Sequence, residues 1–188
     1  MNFVQPIRSR EKIEQIKVEL RKDEFYGARN LLLFCLGINF GLRISDHISL
    51  RVSDVRGKDK AEITEQKTGK TRIVPINDDL RRQIADYIKD RPDTEYLFSS
   101  RKKDDGESQP ITRQQAYRII QGACRAVDII DKIGTHTLRK SFGYHHYQQY
   151  KDIALLMSIF GHSHPSITLR YIGISEDEIM RSCMALAL

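Results

Sequence analysis

The sequence predicts a mostly helical α+β fold with one small antiparallel sheet. Apolar residues recur at helical spacing through most of the 188 residues, and capping residues open many of these stretches. Residues 61–66 and 71–75 alternate with period two instead, and Lys67–Lys70 joins them, which predicts a β-hairpin. Tyr96–Phe98 is predicted as a further short strand, so we expect the sheet to be three-stranded.

Three helices are predicted before the hairpin. Ser9 suits the N-cap of an amphipathic helix, and residues 26–40 form a second helix that is apolar on almost every side. Such a helix should lie at the centre of the fold, and Gly41 should end it. Ser45 or Asp46 is expected to cap a short third helix.

Further helices are predicted after the hairpin. Asn77 or Asp78 should cap an amphipathic helix, whereas residues 101–110 are polar and charged and form the most loop-like segment. Thr112 and Gln115 have the spacing of a capping box and open the next helix.

The last third of the chain predicts a series of shorter helices. One begins near Leu138, and a second runs from Ile153 to Phe160. A third opens at Pro165 and contains Tyr171, and a tail helix is expected over residues 176–188.

Charge and cysteine content narrow the class of protein. A net charge of +6 favours an anionic partner, of which nucleic acid is the most common, although many proteins this basic bind none. Cys35, Cys124 and Cys183 are far apart, so we expect neither disulfides nor a cysteine zinc site, and a reducing cytoplasm fits. The N-terminus does not have the pattern of a signal peptide, and the longest apolar stretch, residues 31–38, is too short to cross a bilayer.

Three short motifs contain residues suited to phosphodiester chemistry. They are Gly-Leu-Arg43-Ile-Ser-Asp, His136-Thr-Leu-Arg139, and a Gly-His162 pair followed by Tyr171. Arginine can donate to two phosphate oxygens without losing its charge, histidine can transfer a proton near neutral pH, and a phenol can attack phosphorus. Taken alone, each residue would be interpreted as a surface ion pair, a helix cap or a core side chain; their combination indicates a site that holds a phosphodiester.

Together these motifs resemble the catalytic domain of the tyrosine recombinases, the phage-type integrases, over nearly the whole chain. The resemblance implies that Arg43 and Arg139 clamp the scissile phosphate, with His136 and His162 as the two histidines of the site. It implies that Tyr171 is the nucleophile, which forms a 3′-phosphotyrosyl link to DNA and releases a 5′ hydroxyl, so that strands are rejoined without ATP or metal.

The family also uses a lysine on the β-hairpin to protonate the leaving oxygen. Lys67 and Lys70 are both candidates, and Gln66-Lys67-Thr68-Gly69 matches the family pattern better, so we assign Lys67. A lysine at a hairpin tip is more often a solvated turn residue. Asp46 lies where the family commonly has an acidic residue that supports the first arginine, and we expect it to support Arg43.

Some residues and the length depart from the family pattern. Phe40 replaces a small or hydroxyl residue, Lys140 replaces a common histidine, and Gly173 follows the tyrosine closely. Family members generally carry an additional N-terminal core-binding domain, whereas residues 1–188 are expected to form the catalytic domain without one. The tail, residues 172–188, is expected to dock on a neighbouring protomer or on its own domain, and a naturally short member and a fragment are both possible.

The resemblance implies that the partner is double-stranded DNA, on which copies self-associate into a tetrameric synapse. We expect a cytoplasmic, nucleoid-associated site-specific recombinase with no cofactor. Two alternatives stay open: a topoisomerase-like nicker with the same chemistry, and a non-catalytic DNA-binding relic. The pairs His145-His146 and His162-x-His164 have no acidic or cysteine partner at metal-ligand spacing, so we expect no metal site.

Overall fold

The computed structural model describes residues 4–174 and 182–186, apart from the side chains of residues 102–104. The helices are α1 (Arg10–Arg21), α2 (Gly27–Phe40), α3 (Ile44–Ile48), α4 (Asp78–Ile88), α5 (Arg113–Ala126), α6 (Thr137–Tyr150), α7 (Ile153–Phe160) and α8 (Pro165–Ile172). The strands are β1 (Lys60–Thr64), β2 (Thr71–Pro75), β3 (Ser99–Asp104) and β4 (Glu107–Pro110). The mostly helical α+β fold that the sequence predicts is confirmed.

Side-chain caps fix the starts of several helices. Ser9, Asn77, Thr112 and Asp152 each accept a hydrogen bond from the backbone N–H three residues later. The cap expected for α3 was wrong, because α3 begins at Ile44 and the residue at its N-cap is Arg43. The short segment after α2 therefore places Arg43 at the start of α3.

The sheet differs from the three-stranded one expected. β1 pairs with β2, from Lys60 opposite Pro75 to Thr64 opposite Thr71, and β3 pairs separately with β4. Tyr96 makes only an isolated bridge to Arg51. The segment expected to be a loop, residues 101–110, contributes most of the β3–β4 hairpin. Its strands are polar and lack apolar alternation, so their sequence did not reveal the backbone pairing.

Helix α2 lies at the centre of the molecule, as predicted. One cluster of buried side chains joins it to α3, α4 and the β1–β2 hairpin, and a second joins it to α1, α5 and α6. Phe34 and Leu36 of α2 are completely buried, one in each cluster. A helix that is apolar on both sides is stable because each side packs against a different layer.

A third, smaller cluster joins the helices that follow. Leu156 and Phe160 of α7 pack with Ile172 of α8. Helix α6 approaches both, because Gly143 has no side chain: a Cβ at this position would lie 2.7 Å from Ile172 and Phe160. This close approach sets the positions of α6, which carries Arg139 and directly follows His136, and of α8, which carries Tyr171.

Two further observations concern membrane spans and the tail. In the parts of the chain described by the structure, every helix is too short or too polar to span a membrane. Most of the tail helix predicted over residues 176–188 lies outside the described residues. Residues 182–186 are described and are exposed to solvent.

Candidate active site

Arg43 follows the left-handed turn at Gly41 that ends α2, with φ of +59°. Its guanidinium Nη1 lies 2.6 Å from Oε2 of Glu65, and its side chain is 22% exposed. A guanidinium held in this way is fixed in direction, and the side chain as a whole remains partly accessible to solvent. The turn at the end of α2 and the carboxylate of Glu65 together position Arg43.

Arg139 lies in the first turn of α6 and is almost completely buried, at 3% exposed. Its Nη1 donates to the carbonyl of Gly41 over 2.6 Å, and its Nη2 donates to the carbonyl of Phe160 over 3.1 Å. The guanidinium also lies 4.5 Å from the centre of the Phe160 ring. Arg139 thus joins the ends of α2 and α7. Burial lowers its pKa to about 10, so it stays charged at neutral pH.

The hydroxyl of Tyr171 lies 3.1 Å from Nδ1 of His136. His136 is the residue before α6, and Tyr171 is near the end of α8. The contact therefore joins two residues that are 35 positions apart in sequence. The two rings are edge to face, with an interplanar angle of 88°. This contact selects Tyr171 from the eight tyrosines of the chain as the one in hydrogen-bonding distance of His136.

His162 lies beside the same phenol. Its ring centre is 5.3 Å from that of Tyr171, and its Nδ1 is 2.9 Å from the hydroxyl of Thr168. Thr168 is fully buried in α8, so this hydrogen bond holds the histidine against the helix that carries the tyrosine. His162 therefore contacts the aromatic ring of Tyr171 in this arrangement.

The protonation states of the site follow from burial and nearby charge. Burial lowers the pKa of His136, and Arg139 and other nearby cations lower it further. Burial raises the pKa of Tyr171, although Arg139 and Arg43 oppose that shift. At neutral pH the pair is a neutral imidazole and a protonated phenol, and an imidazole with its proton on Nε2 can accept from the hydroxyl at Nδ1.

Lys67 lies in the exposed loop between β1 and β2 and lines a cleft of about 580 Å³. Arg43 and His136 line the same cleft, as does Arg113 at the start of α5. Lys70, the other candidate, is in the same loop but is absent from this lining. The structure therefore places Lys67 at the rim of the cleft into which Arg43 and His136 also open.

Asp46, expected beside Arg43, makes a different contact. It is completely buried, and its Oδ1 accepts a hydrogen bond from the backbone N–H of Gln66 over 3.0 Å. The carboxylate that pairs with Arg43 belongs to Glu65, which sequence reasoning missed. A signal was present, because Ala61, Ile63 and Glu65 follow one another at the two-residue period of an inward strand face. A carboxylate on an inward face requires cationic partners.

The remaining residues singled out from the sequence have local contacts. The ammonium of Lys140 lies 5.2 Å from the centre of the Tyr171 ring. His145 contacts the carbonyl of Ile7 over 2.9 Å, and His164 contacts the hydroxyl of Ser166 over 2.8 Å. Among the described side chains, no three histidine, cysteine or acidic groups are grouped closely enough to hold a metal ion.

Comparison with known proteins gives both sequence and structural relatives. The model of the phage integrase family matches residues 9–178. The probable integrase/recombinase YoeC of Bacillus subtilis (strain 168) is 50% identical over 177 residues, which cover 94% of this chain and 93% of that protein. Tyrosine recombinase XerD of Oceanobacillus iheyensis is 28% identical over 90% of this chain, which spans only 58% of that relative.

Solved structures share the fold. The XerA recombinase superposes with a TM-score of 0.75 at 19% identity over 98% of this chain and 66% of that one. The catalytic domain of bacteriophage HP1 integrase gives a TM-score of 0.62 at 22% identity and covers 96% of this chain and 95% of that one. At these identities the likeness establishes the architecture, while the family model and the 50% identical relative establish descent. The chain belongs to the phage integrase family.

Proposed function

We propose that this protein is a site-specific DNA recombinase or integrase that breaks and rejoins DNA strands through Tyr171. The observation that carries the proposal is the Tyr171 hydroxyl 3.1 Å from Nδ1 of His136, beside the buried charge of Arg139. A phenol, a neutral base and a fixed guanidinium are the groups that nucleophilic attack on a phosphodiester requires.

In the proposed reaction, Arg43 and Arg139 bind the non-bridging oxygens of the scissile phosphate. The oxygen of Tyr171 attacks phosphorus as its proton passes to His136, and the bond from phosphorus to the 5′ oxygen breaks. Lys67 donates a proton to that oxygen, which leaves as a 5′ hydroxyl. A 3′-phosphotyrosyl bond replaces the phosphodiester, so attack by a 5′ hydroxyl reverses the steps and reseals a strand without ATP or a metal ion.

His162 supports the same step through its contact with the phenol ring. Its neutral ring packs edge-on against Tyr171 and restricts the directions that the hydroxyl can take. Once a phosphate oxygen enters the site, a ring nitrogen of His162 is available for a hydrogen bond to it. We therefore assign His162 to orienting the nucleophile and binding the phosphate.

Double-stranded DNA is the proposed partner. The net charge of +6 and the cations along the cleft provide the attraction that a phosphate backbone requires. The solved XerH recombinase is bound to its difH substrate, and a lambda integrase tetramer is bound to a Holliday junction. We propose by likeness to these that copies assemble on DNA, in the cytoplasm beside the chromosome, with residues 1–188 supplying the catalytic domain.

Covalent trapping tests the proposal. The protein is incubated with a nicked duplex that carries the junction of its own genetic element, so that cleavage releases a short 5′-hydroxyl strand that diffuses away. Attached protein then persists on a denaturing gel. We expect the wild-type protein to give the covalent band and Tyr171→Phe to give none, because the phenylalanine lacks the attacking oxygen.

Tyr150→Phe is the matched control, since Tyr150 is 59% exposed on α6 and should be dispensable. Equal attachment by Tyr171→Phe would overturn the nucleophile assignment. Supercoil relaxation without a defined sequence would indicate a nicker, and DNA binding without any attachment would indicate a non-catalytic relic.

A further inference from the structure

Glu65 is a buried carboxylate between two arginines. Its side chain is 7% exposed, with Oε2 at 2.6 Å from Nη1 of Arg43 and Oε1 at 3.5 Å from Nη1 of Arg72. Burial by itself would raise the pKa of Glu65, but the hydroxyl of Thr68 and the two arginines outweigh it and hold that pKa below its usual range. Glu65 is therefore ionised at neutral pH.

The same residue closes the loop that carries Lys67. The hydroxyl of Thr68 donates to Oε2 of Glu65 over 2.8 Å, and the N–H of Gly69 donates to its carbonyl over 2.8 Å. The N–H of Glu65 donates to the carbonyl of Lys70 over 3.0 Å. Both the side chain and the backbone of Glu65 therefore hold the loop, whose outer residues are exposed and have little packing of their own.

Asp46 anchors the loop from the other side. Its carboxylate accepts the N–H of Gln66 over 3.0 Å, and it lies on α3, three residues after Arg43. Two carboxylates thus fasten the residues on either side of Lys67 to the segment that carries Arg43. Lys67 itself has no ion pair among the described residues, so the direction of its side chain depends on the loop backbone.

We propose that Glu65 is a positioning residue that fixes Arg43 and the Lys67 loop relative to each other. The inference rests on the proposed function, in which Arg43 holds the phosphate and Lys67 protonates the leaving oxygen of the same phosphate. The two groups come from different parts of the chain, and Glu65 is the residue that contacts both Arg43 and the loop. A displacement of about 1 Å in such a pair can lower a rate by about 10²-fold.

The test compares Glu65→Gln with Glu62→Gln, a control on the exposed face of β1. Attachment is followed in a single turnover at saturating DNA, on the trapping duplex and on one in which sulfur replaces the bridging 5′ oxygen. A thiol has a pKa of about 8.5, so the sulfur leaves without a proton donor. On oxygen, Glu65→Gln should be slower than wild type by about 10²-fold, and on sulfur much of that loss should disappear.

Each outcome decides the question. Wild-type rates for Glu65→Gln on oxygen, or an equal loss on oxygen and sulfur, would overturn the coupling to Lys67 while leaving the covalent chemistry intact. If Glu65→Gln does not fold, Thr68→Val takes its place, because Thr68 is exposed and the change removes only its hydroxyl, which donates to Glu65 and accepts the N–H of Lys70 over 3.3 Å. It should show a smaller loss with the same preference for sulfur.

A readout independent of activity separates this inference from the proposed function. Amide hydrogen exchange at Gly69 should be faster in Glu65→Gln than in wild type and Glu62→Gln, because the neutral amide accepts from Thr68 and Arg43 more weakly than the carboxylate does. Unchanged exchange would overturn the anchoring role. A wild-type protein that never attaches to DNA would instead count against the proposed function, and the exchange experiment would still decide the anchoring role.

Discussion

At the scale of single residues, the pair of His136 and Tyr171 is sensitive to pH. The phenol can pass its proton only to a neutral imidazole, and burial with nearby cations lowers the pKa of His136 below its ordinary 6.5. Arg139, with a pKa of about 10, remains charged throughout the acidic range. We therefore predict that single-turnover attachment is constant near neutral pH and falls in acid, with its midpoint below 6.5.

Two variants check which group causes this fall in rate at acidic pH, the acid limb of the pH profile. His136→Gln should be slow at every pH and lose the limb, because glutamine does not titrate. His146→Gln should keep both the rate and the limb, since His146 also lies on α6 with a pKa lowered by burial but packs against Phe142 and Tyr150. An unchanged limb in His136→Gln would show that another group controls the rate in acid.

At the scale of helices, the position of Tyr171, the proposed nucleophile, depends on the contact of α6 with α7 and α8. A Cβ at position 143 would lie 2.7 Å from both Ile172 and Phe160. We expect such overpacking to cost about 1–3 kcal/mol and to force the helices apart. We predict that Gly143→Ala lowers the free energy of unfolding in urea and slows attachment through Tyr171.

Gly122→Ala is the matched control for this change. Gly122 also lies inside a helix, α5, and a Cβ there would meet nothing within 4 Å. Alanine should therefore raise the stability by about 0.5–1 kcal/mol through helix propensity without changing attachment. Equal stability of the two variants would mean that α6 can move away from α7 and α8 at little cost.

The hairpins show what the sequence could and could not predict at this scale. The β1–β2 hairpin alternates around a turn and was predicted, whereas β3 and β4 are polar strands without apolar alternation. Caps such as Ser9 and Thr112 were predictable because each acts on the backbone three residues away. Local patterns therefore predicted most helices, but they could not predict pairing between polar strands.

The candidate site divides in a similar way. Arg43, Arg139 and Tyr171 stood out because they lie in short motifs, and the structure brings them to one place. The partner of Arg43 did not stand out in the sequence. Glu65 is 22 positions away, and the pairing depends on how the hairpin packs against α3. An acidic residue three positions after the arginine, Asp46, was the nearer candidate by sequence. Its carboxylate instead reaches the backbone of the loop.

At the scale of the whole molecule, we predict that one buried histidine makes the stability of the fold sensitive to acid. His47 is 1% exposed, lies between the rings of Phe40 and Phe98, and contacts the carbonyl of Leu33 through Nε2 over 2.9 Å. Burial lowers its pKa to about 4. The unfolded chain takes up a proton near pH 6.5, the ordinary value, whereas the folded chain resists protonation until about pH 4.

The sign of the effect follows from this difference in proton uptake. Within that range the unfolded state binds more protons than the folded state, so stability falls as the pH falls. A gap from 6.5 to about 4 corresponds to a loss of about 3 kcal/mol by the time the folded histidine titrates. Below that pH, His47 should contribute no further change.

Urea unfolding of wild type and His47→Gln at several pH values between about 7 and about 4 checks this prediction. Glutamine can still donate to the carbonyl of Leu33 but does not titrate, so its stability should depend less on pH, even if it is lower at neutral pH. His145 and His146, whose pKa values burial also lowers, are present in both proteins and cancel in the comparison. Parallel curves would show that acid sensitivity arises elsewhere. Converging curves would show that the contact joining α2, α3 and the segment before β3 limits the stability of the whole fold in acid.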